Sequence, residues 1–339
     1  MSGFFCLQWH ITNKCDQKCK HCYIFNSAQP IPTKEWSLAD AESLLIDYMS
    51  FCNKYKKLPH ISLTGGDPIL HGCFWQIISL LKAYKIPFNI LGNPFHLTPE
   101  VINRLKEAGC QHYQISLDGL EATHDSMRMV GSFKASIEAI DLLFENGLNP
   151  VVMTTVSRIN WKEIPELTRI IVEHHAEKCA FARYCPTHGD IDFNLTPDEY
   201  HGFLNEMWDT YEKLTGNGTA FTLKDHLWKA ILDEKGLLLT NDDGIVYDGC
   251  HCGISHLTFL EDGTAYACRR MNTPVGHFPE ETIEDIFFGE REDLYRQIER
   301  IDGCKDCKLL NYCRGCRAVA YGSSGNNVFA KDPQCWLCK

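Results

Sequence analysis

Three cysteines near the start of the chain are spaced to hold an iron–sulfur cluster. Cys15, Cys19 and Cys22 follow a C-x3-C-x2-C spacing on one predicted loop after the first predicted strand. A structural zinc site needs four ligands in a closed tetrahedron, and His21 is awkwardly placed as the fourth because it adjoins Cys22. A 4Fe–4S cluster held by three thiolates instead keeps one iron open for a small molecule. The spacing favours such an open cluster, with a zinc knuckle or a chance grouping as the alternatives.

A second group of cysteines occupies the last quarter of the chain, which holds 9 of the 18. They are Cys250, Cys252, Cys268, Cys304, Cys307, Cys313, Cys316, Cys335 and Cys338. Two C-x2-C pairs could form a zinc ribbon, but that interpretation leaves five of these cysteines unexplained. We therefore expect a small domain held together by metal. The scattered cysteines, among them Cys179 and Cys185, are predicted to be ordinary buried residues.

Composition narrows the class of protein. The 339 residues suggest about two domains. The net charge of −11 does not favour a nucleic-acid-binding surface, and no apolar run approaches the ~20 residues of a membrane span. The first ten residues lack a basic segment followed by an apolar one, so we expect no secretory signal and a cytoplasmic protein. In that compartment clustered cysteines indicate metal binding rather than disulfides.

The first part of the chain alternates between strand and helix patterns. Apolar runs such as 5–12, 60–63 and 112–117 predict strands, and they are separated by segments with helical periodicity, such as 37–55. About six such repeats fit, which predicts an α/β fold with a partial (β/α)6 TIM-like barrel. Chemistry in such barrels lies on the loops after the strands, where the first cysteine group falls.

The predicted organisation has three parts. Residues 1–195 form the partial barrel, 196–245 a helical connector, and 246–339 a small Cys-rich iron–sulfur domain. Five residues are candidates for lining a cleft, without an assigned role: Arg183, Tyr247, Asp248, Arg269 and Arg270.

The first cysteine group resembles the motif of radical S-adenosylmethionine (SAM) enzymes. That motif places C-x3-C-x-aromatic-C after the first strand, and His21 occupies the aromatic position here. The resemblance implies that the open iron binds the amino and carboxylate groups of SAM. It also implies that the reduced cluster cleaves SAM to a 5′-deoxyadenosyl radical, which abstracts hydrogen from a substrate.

Three further segments follow later predicted strands in the order that this family shows. Gly65-Gly66-Asp67-Pro68 resembles its GGEP motif, with Asp in place of Glu, and 116–119 resembles its SLDG segment. The 124–128 segment resembles HDxxR, whose Arg suits a carboxylate. Taken singly, these could be a Gly-Gly turn and a surface ion pair, and Asn93 a turn residue. Together they imply that the SAM-binding residues are His21, Gly65, Gly66, Asp67, Asn93, Ser116 and Arg128.

The C-terminal array resembles the SPASM extension of radical SAM enzymes, which carries two auxiliary 4Fe–4S clusters. By position, the first auxiliary cluster would be held by Cys250, Cys252, Cys268 and Cys316. The second would be held by Cys304, Cys307, Cys313 and Cys335, with Cys338 competing with Cys335. The array departs from the family in having two rather than three residues between Cys313 and Cys316.

The resemblance implies an enzyme with three 4Fe–4S clusters and SAM that modifies a ribosomally made precursor peptide. The expected change is a thioether or C–C crosslink, or epimerisation, and a flavodoxin or ferredoxin would supply electrons. A radical enzyme acting on a small molecule such as a tetrapyrrole side chain is the alternative. A sulfatase-maturase-like oxidase ranks lower because Arg269 replaces the Asp that follows the matching Cys in those enzymes. An electron-transfer or structural iron–sulfur protein is a third class.

Overall fold

The computed structural model describes residues 3–25, 34–187, 190–241 and 243–337. The strands are β1 Phe4–Thr12, β2 Leu58–Gly65, β3 Phe88–Leu91, β4 Cys110–Ser116, β5 Asn149–Val156, β6 Lys178–Arg183, β7 Ala220–Thr222, β8 His256–Phe259, β9 Thr264–Tyr266 and β10 Pro274–His277. The α-helices are α1 Leu38–Lys54, α2 Phe74–Ala83, α3 Pro99–Glu107, α4 Glu121–Met127, α5 Ser132–Glu145, α6 Ile164–Glu173, α7 Pro197–Leu214, α8 Trp228–Glu234, α9 Ile283–Phe288, α10 Glu290–Asp293 and α11 Arg317–Ser323.

Strands β1 to β7 lie side by side in chain order, and each pairs in parallel with the next. Helices connect successive strands, as right-handed βα crossovers require. The predicted α/β partial barrel is thereby confirmed. All of these strands end at the same edge of the sheet, so the loops after β1, β2, β3 and β4 meet there.

Burial alternates along the first residues of β1, because the two faces of the strand lie in different environments. Phe5, Leu7 and Trp9 are fully buried and form part of the main apolar core with α1. The intervening residues Cys6 and Gln8 point to the opposite face of the sheet and are only half-buried. The helices pack on one face, and polar side chains line the other.

The C-terminal segment joins the same sheet. β8 pairs in parallel with β1, with Cys6 opposite His256, and β9 and β10 continue the sheet in antiparallel fashion. The sheet therefore contains strands from all three of the segments expected from the sequence, and the boundaries at residues 195 and 245 stay predictions. Within the described ranges, no helix is both long and apolar enough to cross a membrane.

Candidate iron–sulfur and cofactor site

The loop after β1 holds the first three cysteines close to α4. Lys20 donates its backbone N–H to Met127 at 2.9 Å, and Cys22 donates to the carbonyl of Cys19 at 3.1 Å. Burial raises the pKa of the Cys15 thiol to about 11, and the neighbouring thiols of Cys19 and Cys22 add to the increase. A thiol with a raised pKa becomes a thiolate here only when a cation binds it, because a metal ion deprotonates the thiols that it binds. The donor set therefore fits an iron–sulfur cluster.

Two glycines let the loop after β2 lie directly against the cysteine loop. Gly66 donates its N–H to Thr12 and Asp67 donates to Lys14, both at 2.7 Å. A Cβ atom at Gly65 would lie 2.1 Å from the Thr12 carbonyl oxygen, and one at Gly66 would lie 2.2 Å from that of Lys14. Only glycine fits at this approach, which fixes the position of Asp67 beside the cysteine loop.

Gly66→Ala is expected to displace the cysteine loop and weaken SAM binding at least tenfold, with a loss of stability of about 1–3 kcal/mol from overpacking. Gly72→Ala is the matched control, since a Cβ there meets nothing within 4 Å. Anaerobic calorimetric titration with SAM and thermal unfolding measure the two effects. Equal SAM affinity in both variants would show that the close approach does not shape the site.

Asp67 and Asn93 carry buried polar atoms that have no partner among the described residues. Both carboxylate oxygens of Asp67 and Nδ2 of Asn93 lack one, although both side chains are almost completely buried. Burial raises the pKa of the Asp67 carboxyl to about 7, against a smaller opposing effect of His96. Tyr113 fixes the Asn93 backbone by donating its hydroxyl to the carbonyl at 3.0 Å. Unsatisfied buried groups such as these call for a ligand.

Asp118 organises the loop after β4. The Arg128 Nε lies 2.6 Å from the Asp118 carboxylate, and His21 Nε2 lies 3.1 Å from the same oxygen. Burial alone would raise the pKa of Asp118, but the Arg128 guanidinium and the hydrogen bonds from His21 and the Thr155 backbone outweigh it and hold this pKa far below its usual range. A second Arg128 nitrogen lies 3.6 Å from Cys19 Sγ. The carboxylate thus holds the guanidinium at the edge of the cysteine loop. Ser116 is the last residue of β4, two residues before Asp118.

The structure brings the first predicted auxiliary set together. Cys250, Cys252 and Cys268 are linked by side-chain hydrogen bonds between their thiols. Arg270 connects them to Cys316, since its guanidinium hydrogen-bonds Cys268 and lies 3.6 Å from Cys316 Sγ. The guanidinium suits a cluster site because a 4Fe–4S core bound by four thiolates carries a net negative charge, which a neighbouring cation offsets.

The second predicted auxiliary set lines a cavity of about 350 Å³, including its open mouth. Its walls carry the four predicted ligands Cys304, Cys307, Cys313 and Cys335. The competing Cys338 lies outside the described residues. Across the described ranges, no three His, Cys, Asp or Glu side chains converge as the ligands of a single metal ion. Ligands of a 4Fe–4S cluster need not converge on one point, because each thiolate binds a different iron.

The residues that the sequence analysis proposes for a cleft lie in different environments. Arg269 lies over the ring of Tyr23 at 5.2 Å, on the interior side of the barrel near His10. Tyr247 is exposed and stacks on Tyr312. Arg183 is buried in ion pairs.

The chain is similar to known proteins in sequence and in fold. Residues 9–171 match the Radical SAM superfamily. The chain carries a radical SAM domain and is an enzyme of that superfamily. The prediction of the family from its cysteine motif is thereby confirmed.

Relatives extend over almost the whole chain. The AdoMet-dependent heme synthase of Nitratidesulfovibrio vulgaris is 27% identical, over 97% of this chain and 91% of its own length. The mycofactocin maturase MftC of Mycolicibacterium smegmatis is 23% identical, over 97% and 82%. The crystal structure of Streptococcus suis SuiB bound to precursor peptide SuiA superposes with a TM-score of 0.78 at 18% identity, over 99% of this chain and 77% of that one. The superposition shows a shared fold.

Proposed function

We propose that the enzyme cleaves SAM reductively at the Cys15–Cys19–Cys22 loop and uses the radical to modify a ribosomally made peptide. The cleavage of SAM is supported by one observation. Asp67 and Asn93, beside this loop, each carry buried polar atoms that have no hydrogen-bond partner among the described residues. When bound, the reduced cluster would supply the electron that breaks the C5′–S bond of SAM, releasing methionine and the radical that takes hydrogen from the substrate.

The surrounding residues have complementary roles toward SAM. Asp67 would accept the ammonium group, since no side chain among the described residues pairs with its buried carboxylate. The Arg128 guanidinium, held by Asp118, would bind the carboxylate, and Asn93 would bind the ribose through its free amide nitrogen. Gly65 and Gly66 would allow SAM to approach the backbone, while His21 and Ser116 complete the wall.

SAM affinity is expected to rise with pH between 6 and 7, by up to about tenfold, because Asp67 must be ionised to hold an ammonium group. Its raised pKa, about 7 against the ordinary 3.8, also means that stability from the protonated carboxyl is full below pH 3.8 and is lost as pH rises through 7. Anaerobic titrations at constant ionic strength measure the affinity. Asp67→Asn should flatten the profile, and the exposed Asp209→Asn should not; an unchanged slope in Asp67→Asn would contradict this role.

The two C-terminal cysteine sets would hold auxiliary 4Fe–4S clusters. Support comes from the thiol nest around Arg270 and from the cavity lined by the other set. Such clusters would accept the electron that a substrate radical loses when a crosslink forms, and a flavodoxin or ferredoxin would reduce the SAM cluster.

The peptide assignment is supported by the maturase among the relatives and by the sequence resemblance. A tetrapyrrole is the second candidate, because a heme synthase is among the full-length relatives. Lys224 bears on both candidates. Its ammonium group has no hydrogen-bond or ion-pair partner in the described part of the chain and interacts by charge with Arg270, Cys6 and Cys268. Lys224 is exposed, and a carboxylate on either a peptide or a tetrapyrrole would pair with it, so this lysine does not separate the two candidates.

A parallel incubation separates the two candidates. The reconstituted enzyme, SAM and dithionite are mixed with short peptides encoded beside the gene, and separately with iron coproporphyrin III. Mass spectrometry should show loss of hydrogen atoms from a crosslinked peptide, or deuterium uptake on epimerisation in D2O, and unchanged porphyrin. Modification of the porphyrin alone would overturn the peptide assignment.

A further inference from the structure

Cys185 lies two residues beyond the end of β6, on the edge of the sheet where the other site loops meet. It is buried, with 7% of its surface exposed, and its thiol is hydrogen-bonded to that of Cys316. Arg270 lies 3.2 Å from Cys185 Sγ and 3.6 Å from Cys316 Sγ. Although far from the C-terminal array in sequence, Cys185 is therefore the fifth thiol of the nest around Arg270.

A buried ion-pair network fixes Cys185 relative to Cys316. Arg183, at the end of β6, forms ion pairs with Asp225 at 2.8 Å and with Asp332 at 2.7 Å. The same Asp332 oxygen accepts the backbone N–H of Cys316 at 2.7 Å. The strand end that carries Cys185 and the loop that carries Cys316 are thus held together through a single carboxylate, as a preorganised ligand pair requires.

Cys250 has a different environment from Cys185. Only one residue separates it from Cys252, so two sulfurs from one very short stretch of backbone would have to reach two different irons. Its thiol is also hydrogen-bonded to the His226 side chain. Cys250 is thus hydrogen-bonded to an imidazole, whereas the Cys185 thiol is hydrogen-bonded to Cys316, accepts from Arg270 and donates to the Arg183 backbone carbonyl at 3.7 Å.

We propose that Cys185 is a thiolate ligand of the first auxiliary cluster, together with Cys252, Cys268 and Cys316, while Cys250 stays paired with His226. The assignment rests on the proposed function, in that it requires an auxiliary cluster at this nest. On binding, the Cys185 thiol loses its proton to solvent and its sulfur bonds to iron. The cluster would then tie the barrel strand β6 to the C-terminal segment.

The test uses the full chain, reconstituted anaerobically, as wild type and as Cys185→Ala, Cys185→Ser, Cys250→Ala and Cys179→Ala. Cys179 is the matched control, a buried cysteine on the same strand that neighbours Thr168 instead of the nest. Iron and sulfide are counted, and the dithionite-reduced proteins are examined by electron paramagnetic resonance without SAM.

Cys185→Ala is expected to lose up to about four irons per chain and one cluster signal, with Cys250→Ala and Cys179→Ala unchanged. Cys185→Ser should keep a cluster with shifted g values, because an oxygen ligand replaces sulfur, and this separates ligation from a packing role. Full iron and an unaltered spectrum in both Cys185 variants would overturn the assignment. A wild type with only about four irons would instead contradict the auxiliary clusters themselves, and the assignment with them.

Discussion

Replacing Cys19 with alanine is expected to abolish SAM cleavage and to remove about four irons per chain. Cys19 belongs to the only cysteine loop with Asp67, Asn93 and Arg128 around it in the described part of the chain. Two remaining thiolates cannot hold a cluster that keeps one iron open. Anaerobic assay of 5′-deoxyadenosine with dithionite, and iron analysis of the same samples, measure both losses.

Cys73→Ala is the control for this experiment. Cys73 is half-buried and directly precedes α2, and it belongs to neither cysteine group. It should retain full iron and full cleavage. Retention of cleavage by Cys19→Ala would show that the electron reaches SAM from another site, and the assignment of the first loop would then be wrong.

Asp118→Asn is expected to have the second largest effect, a loss of about 3–5 kcal/mol of unfolding free energy. Asp118 is fully buried, and Arg128 has only 12% of its side chain exposed, so the amide would leave a buried guanidinium without its counter-charge. Because the folded pKa of Asp118 is depressed, its contribution is fully present above the ordinary value of 3.8 and is lost only in acid. Urea unfolding followed by circular dichroism measures the change.

The double variant Asp118→Asn/Arg128→Gln tests the cause of that loss. Removing both charges relieves the unpaired cation, so the double variant should be more stable than Asp118→Asn alone. Both variants should lose SAM affinity at least tenfold, because each removes the oriented guanidinium. A double variant less stable than the single one would show that the pair is not the source of the stability.

Most of the barrel could be predicted from the sequence, because its elements are long enough to show a period. The strand expected at 60–63 and the helix expected at 37–55 correspond to β2 Leu58–Gly65 and α1 Leu38–Lys54. Strands β7 to β10 were not predicted individually, since they have three or four residues and no detectable alternation. That β8 lies against β1 depends on tertiary packing, which a local pattern does not contain.

The candidate site was predictable in its motifs but not in its contacts. The order of the motifs along the chain located the loops, because parallel strands end at one edge. The sequence analysis gives Asp118 no role, because a local pattern cannot show that its carboxylate contacts both His21 and Arg128. The sequence predicts Cys185 to be an ordinary buried residue. The structure confirms that it is buried, but the prediction did not include its contacts with Cys316 and Arg270. Its solitary position offers no spacing signal, and only the folded chain brings it to Cys316.

The most direct test of the central claim is one anaerobic measurement on the reconstituted enzyme. Iron and sulfide are counted, dithionite and SAM are added, and 5′-deoxyadenosine is quantified. The account predicts about twelve irons per chain, for three 4Fe–4S clusters, together with SAM cleavage. Zinc in place of iron, with no 5′-deoxyadenosine formed, would contradict it.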